Sequence, residues 1–118
     1  MRLNLYTDIG LKTIMYLKSS DELVTLSEIS AQLNIPKNHL IKVANHLVKL
    51  NWIIALRGRN GGLKYNPETD SLKLGDAILT LDGKRELLDC ETEPCKLRAA
   101  CNLRKALNRS LQAFYATL

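Results

Sequence analysis

No apolar run in this 118-residue chain is longer than the five residues Trp52 to Leu56, well short of the ~20 that a membrane-spanning helix needs. The opening MRLNLYTDIG lacks the apolar core of a secretory signal. Internal repeats and low-complexity segments are absent, and so is any convergent acid–base or nucleophile set that would suggest an enzyme. These absences lead us to expect a cytoplasmic globular protein without a membrane partner or catalytic role. A hydrophobic content of 46% is enough for one modest core.

Cysteine is also scarce. Only Cys90, Cys95 and Cys101 occur, all within the twelve residues CETEPCKLRAAC. An odd count leaves one thiol unpaired, and a reducing compartment disfavours structural disulfides. Metal or redox chemistry is the better expectation for such a cluster.

Acid is missing from one long stretch. Asn34 to Asn66 carries Lys37, Lys42, Lys49, Arg57, Arg59 and Lys64 and not one Asp or Glu. Residues 1–66 hold nine Lys/Arg against four acids, whereas residues 67–118 hold eight of each, so the net charge of +5 sits entirely in the first half. A concentrated positive field points to a polyanion, with double-stranded DNA the natural candidate.

The patterning supports this. Residues 8–18 place Leu11, Ile14 and Met15 at helical spacing, with Thr7 a candidate cap. Thr25-Leu26-Ser27-Glu28 has the form of a capping box and opens a short helix through Leu33. Asn34-Ile35-Pro36 breaks it, and Pro36 suits the first turn of a third helix. That helix, KNHLIKVANHLVKL, turns Leu40, Val43, Ala44, Leu47 and Val48 to one side and Asn38, Lys42, Asn45 and Lys49 to the other. Two short helices across a tight turn are the signature of a helix-turn-helix. WIIALR and LKY flank GRNGG and predict a β-hairpin turning on Asn60-Gly61; a basic-tipped hairpin after a recognition helix makes a winged helix. Ser71 to Leu74 reads as a further strand and GDAILTL as a short helix. From about Arg98 a last helix aligns Leu103, Ala106, Leu107, Leu111, Phe114 and Tyr115 on one stripe, a face that needs a partner.

The fold class expected is therefore mainly α with a small β-hairpin wing. A winged helix-turn-helix DNA-binding domain occupies 1–80, a cysteine-containing segment 81–101 and a dimerisation helix 98–118. Asn and Lys can bond base edges and phosphates, so Lys37, Asn38, His39, Lys42, Asn45 and Lys49 are candidate DNA contacts. Arg57, Arg59 and Asn60 at the hairpin tip join them, placed to enter a minor groove. The plain alternatives are a solvated helix face and a glycine turn; the capped helix before and the basic hairpin after favour DNA. The glycines do not make a phosphate-binding P-loop, because Leu-Lys-Tyr follows them instead of Lys-Ser/Thr. His39 and His46 have no Cys, Asp or Ser at a suggestive spacing, so surface or DNA-contacting roles outweigh catalysis.

For the cysteines, one continuous helix would hold Cys90 and Cys101 about 16 Å apart, and Pro94 argues against such a helix. A closed loop could instead bring the sulfurs together, with Cys101 at the start of the last helix, where the dipole favours a negative ligand. The spacing lacks the paired C-x-x-C of common zinc modules. Clustered thiolates suit iron–sulfur chemistry at least as well as zinc, with one ligand still missing. Three unrelated thiols or a thiol redox switch remain as alternatives.

DIGLKTIMYL, NHLIKVANHLVKLNWIIALRGRNGGL and DCETEPCKLRAACNLRKAL, in this order, resemble the NsrR-type repressors, nitric-oxide-sensing relatives of the iron–sulfur regulator IscR. The resemblance runs through nearly the whole chain. It implies a homodimeric winged-helix repressor of palindromic operators, with an iron–sulfur cluster, 4Fe-4S in preference to 2Fe-2S, on Cys90, Cys95 and Cys101. It further implies nitric oxide as the signal and Asp8 of the other subunit as fourth ligand. For Asp8 the plain alternative is a first-turn helix acid. No histidine follows Cys101, so an IscR-type site fits less well.

Overall fold

The computed structural model describes residues 2–83, 86–92 and 94–118. Its elements are α1 (Leu5–Lys18), α2 (Leu26–Leu33), α3 (Lys37–Lys49), β1 (Ile53–Leu56), β2 (Gly62–Tyr65), a 3-10 turn (Pro67–Ser71), α4 (Leu74–Asp82), a second 3-10 turn (Arg98–Ala100) and α5 (Asn102–Thr117). They form two compact units: Leu3–Leu72, and Lys73–Leu118 with the first residues of the chain. The division lies at Leu72/Lys73, ahead of the boundary expected at 80, because α4 packs on α5.

In the Leu3–Leu72 unit, α3 is the central element and packs on α1, α2 and β1. Its inner stripe is close to completely dry: Leu40 and Leu47 are 0% exposed and Val43 1%. Val48, expected inside, is half-buried at the margin of that stripe. The capping-box threonine works as the spelling suggests, Thr25 Oγ1 accepting from the Glu28 N–H at 3.2 Å. Asn34 ends α2 in the left-handed conformation (φ 53°) and donates its N–H to the Ser30 carbonyl. Asparagine tolerates that conformation better than most residues. Pro36 stands one position before the helix expected to contain it, its carbonyl accepting from His39 N and Leu40 N at 3.1 Å.

Two expectations for α1 are corrected. The cap is Asn4, whose Oδ1 accepts from Thr7 N at 2.7 Å, and Thr7 lies inside the helix and is buried. The buried face carries Ile9, Gly10, Thr13 and Leu17, whereas Met15 is 69% exposed and Leu11 and Ile14 are half-buried. The hydropathy pattern misled because Thr13 satisfies its own hydroxyl: Oγ1 donates to Ile9 O at 2.8 Å. With that bond made, a threonine can occupy a core position at little cost.

β1 and β2 pair antiparallel from Ile53↔Tyr65 to Leu56↔Gly62. Their loop is five residues, Arg57 to Gly61, not a two-residue Asn-Gly turn. Gly61 N–H donates to Gly58 O at 3.0 Å, and the positive φ falls at Gly58 (109°) instead of Asn60 and Gly61. Gly61 is required for a different reason, since a Cβ there would strike the Leu56 carbonyl. Val24 bridges to Leu63 by two backbone bonds of 2.9 and 2.8 Å, so the segment before α2 edges the hairpin. The strand expected at 71–74 is absent. Pro67–Ser71 is a 3-10 turn in which Asn66 Oδ1 accepts from Glu68 N, and Leu74 already begins α4.

In the Lys73–Leu118 unit, the short helix expected over GDAILTL is α4, ended by Gly83 at φ 68°. Gly75 allows α4 to approach the Tyr115 backbone of α5, where any Cβ would collide. Leu111 is the buried member of the α5 stripe at 2% exposed, while Leu103 is 61% exposed. Among the described residues, no helix is long and apolar enough to cross a membrane.

Truncating Leu47 to alanine removes a wholly buried side chain from the centre of the first unit. We expect it to lower unfolding free energy by about 2–5 kcal/mol, read from denaturant melts; a loss under about 1 kcal/mol would mean the site collapses freely.

Candidate nucleic-acid interface and cysteine segment

Burying Leu40, Val43, Ala44 and Leu47 leaves α3 only one way to face. Asn38, Lys42, Asn45 and Lys49 are all exposed, as is His39. Lys37 is exposed too, but its Nζ donates to Ser27 Oγ at 2.8 Å, tying the start of α3 to α2. His39 and Lys42 share with Leu5, Tyr6, Ile9 and Val43 the wall of an apolar cavity of about 240 Å³ between α1 and α3. At the wing, Arg57, Arg59 and Asn60 are exposed, and so is Lys64 on β2, which belongs to the same positive surface but was not among the expected contacts.

The base of the wing is anchored by a cluster that sequence reasoning missed. Asp70 Oδ1 accepts from Tyr65 Oη at 2.6 Å and from Lys18 Nζ at 2.9 Å, and the Lys18 ammonium lies 5.3 Å from the Tyr65 ring centroid. The Lys18 hydrogen bond, followed by that of Tyr65, holds the Asp70 carboxyl below the usual aspartate range; burial and then the same carboxylate raise Tyr65. These partners are 52 and 5 positions apart, and no local spacing signals the longer pairing.

The cysteine segment has its own scaffold. Asp89 accepts from the N–H groups of Glu91 and Thr92 at 3.2 Å and from Thr92 Oγ1 at 2.6 Å, and these bonds lower its pKa, that of the Thr92 side chain most. Arg98 pairs with Glu91 at 2.6 Å, and Arg104 with Glu86 at 2.6 Å, which raises the Arg104 pKa. Cys101 is the N-cap of α5, its Sγ accepting from Arg104 N at 3.4 Å. Thus Cys101 does open the last helix, as expected, while residues 98–100 turn as 3-10 and precede it.

All three cysteines are free, Cys95 exposed and Cys90 and Cys101 half-buried. Among the described residues, no group of three or more His, Cys, Asp or Glu comes together in a way that could hold a metal ion. In this conformation the thiols therefore do not form a ready cluster cradle, although soft thiolates are suitable donors for iron. Asp8, the expected fourth ligand, sits in the first turn of α1 in the other unit, with Oδ2 2.7 Å from Lys12 Nζ. That is the bond a plain first-turn acid would make.

The family model described as "Rrf2: Iron-dependent Transcriptional regulator" matches residues 3–118. Among solved structures, the oxidized form of CymR from Staphylococcus aureus superposes with a TM-score of 0.73 at 22% identity, covering 100% of this chain and 89% of that one. CymR (YrzC), the global cysteine regulator of B. subtilis, gives 0.64 at 22% identity, covering 96% and 91%. IscR of T. potens gives 0.62 at 17% identity, covering 96% and 81%. At such identities the likeness is one of fold, and it bears out the mainly α arrangement with a hairpin wing.

Two outcomes follow from this geometry. Because Asp70 has a lowered pKa, its contribution is full above the ordinary aspartate value and fades as pH falls through the lowered one. Asp70→Asn should be less stable than the parent protein at neutral pH, with the difference closing below about pH 4; a pH-independent difference would remove the charge from the account. Arg59→Ala should weaken binding to a cognate duplex by about 1–3 kcal/mol if Arg59 enters a groove, and unchanged affinity would exclude Arg59 from the interface.

Proposed function

The chain belongs to the Rrf2 family of transcriptional regulators, and on that footing we propose that it is a homodimeric repressor reading a palindromic operator. α3 lies in the major groove and the Arg57–Gly61 tip along the backbone or minor groove, while the cysteine segment receives the signal. The observation that carries this reading is the surface itself: an exposed Asn/Lys row on a helix whose opposite face is dry, followed by an exposed basic hairpin tip, with no acid from Asn34 to Asn66. Phosphate contacts from the lysines would orient the protein and the asparagines would read base edges. The half-exposed apolar stripe of α5, with Leu103 open, offers the surface through which two copies would pair.

The signal we propose is nitric oxide, acting on an iron–sulfur cluster, 4Fe-4S in preference to 2Fe-2S, held by Cys90, Cys95 and Cys101, with Asp8 of a second subunit as fourth ligand. Supporting it are the C-x4-C-x5-C spacing, the resemblance to NsrR-type repressors, and the iron dependence in the family's description. The segment would have to close for the sulfurs to converge. A second reading, direct thiol sensing without iron, is favoured by three free thiols, Cys95 exposed among them, that belong to no metal-competent group among the described residues. A structural neighbour is likewise described as a cysteine regulator.

Anaerobic protein separates the two. The cluster reading expects a brown protein containing iron and sulfide, whose grip on operator DNA falls on adding nitric oxide, and a Cys95→Ala variant that is folded but takes up no cluster. Colourless, iron-free protein that binds the operator identically with and without nitric oxide, yet responds to peroxide, would replace it with thiol sensing.

A further inference from the structure

Tyr6 and His46 border the α3 surface and meet across two helices. They lie 40 positions apart, yet the Tyr6 hydroxyl oxygen is 2.6 Å from His46 Nδ1, and the ring centroids are 5.7 Å apart at an interplanar angle of 44°. Tyr6 is in the first turn of α1 and His46 in the last turn of α3. At roughly 100° per residue, His46 falls about 80° around α3 from Asn38. That places it on the flank of the exposed row, on the side of Lys42 and His39. It is half-buried while its neighbours Asn45 and Lys49 are exposed.

The 2.6 Å contact holds one proton between Tyr6 Oη and His46 Nδ1, and the imidazole tautomer sets its sense. With Tyr6 Oη as the donor, the preferred sense for a phenol against an imidazole, His46 Nδ1 is the acceptor. A neutral imidazole accepting at Nδ1 carries its proton on Nε2. Among the described residues, the ring's hydrogen bond is the one to Tyr6, so in that tautomer the Nε2–H has no acceptor there.

We infer that His46 is a further DNA-contacting residue, donating Nε2–H to a phosphate oxygen of the duplex, and that Tyr6 is the positioning residue that sets its tautomer and ring orientation. The inference rests on α3 being the DNA-facing helix. A phosphate is the fitting acceptor because the centre of a groove-bound helix meets base edges and its flanks meet the groove walls. The arrangement parallels the way a second hydrogen bond fixes the imidazole of a metal-bound histidine: an element outside the surface decides which nitrogen faces the ligand.

The test combines binding with the state of the ring. Tyr6→Phe keeps the aromatic packing and deletes the hydroxyl, His46→Ala deletes the donor, and the double variant closes a cycle. Each single variant should bind about three- to tenfold more weakly, the scale of one neutral hydrogen bond, on the operator and on a scrambled duplex alike. The double variant should be no weaker than His46→Ala. Nitrogen-resolved NMR of the DNA-free protein should show the Nε2–H tautomer at His46, and a mixture of tautomers in Tyr6→Phe. Parental affinity of Tyr6→Phe, additive losses in the double variant, or an Nδ1–H ring in the parent protein would overturn the pairing. A loss confined to the operator would overturn the phosphate assignment. Lys42→Ala and Asn45→Ala run beside these: if they bind like the parent, the reading of α3 itself fails, whereas if they weaken binding and Tyr6→Phe does not, only the Tyr6–His46 inference does.

Discussion

The burial of one stripe of α3 governs the rest of this structure. Leu40, Val43, Ala44 and Leu47 are packed against α1, α2 and β1 with next to no exposure. Each of the leucine and valine side chains removed from water is worth roughly 1.5–3 kcal/mol, more than a surface polar contact opposes. The helix therefore cannot rotate, and Asn38, Lys42, Asn45 and Lys49 are held outward as a rigid row. A surface for reading a duplex needs that rigidity, because base-edge hydrogen bonds tolerate little angular error.

The hairpin inherits its position from the same core. Ile53 of β1 and Leu63 of β2 are buried, and Val24 locks the hairpin's edge through two backbone bonds. Asn51, at φ 60°, turns the chain from α3 into β1, and Asn66 Nδ2 donates to the Asn51 carbonyl at 2.6 Å. Tyr65, Asp70 and Lys18 fasten the base, leaving Arg57 to Asn60 exposed at the tip. The basic tip is thus presented by apolar burial at one end of the hairpin, with the charges at the other end free for a polyanion.

The cysteine segment is organised differently. The described residues of the segment, 86–92 and 94–101, include one short 3-10 turn and are joined by polar contacts: the Asp89 turn, Arg98–Glu91 and Arg104–Glu86. The Asp89 turn and the Arg98–Glu91 pair are exposed, and exposed polar contacts are individually weak, which suits a segment proposed to change arrangement when a signal arrives. Cys101 is the exception, built into the start of α5 as its cap. A change of state at that sulfur would be felt directly by the helix proposed to join two copies.

Much of the fold could be read from local pattern. The capping threonine at Thr25, the break at Asn34 to Pro36, the two-sided α3, the hairpin and the short α4 all follow from interactions spanning a turn or less, which is the range over which periodicity and propensity act. The failures were of three physical kinds. Thr13 entered the core because a bond to Ile9 cancelled its polarity. The wing turned on Gly58, and Gly61 was needed for close approach and not for its φ. Pro67–Ser71 turned as 3-10, which removed the strand expected beside it.

By itself, then, the sequence determined the helix-turn-helix, its outward Asn/Lys row, the acid-free basic stretch and the concentration of thiols before α5, because each is a matter of neighbours along the chain. Tertiary structure alone decided that Lys18, Tyr65 and Asp70 meet at the base of the wing and that Tyr6 holds His46. Those outcomes join residues through space. Many sequence spacings are compatible with them, and only packing of the hydrophobic stripes selects the one that forms.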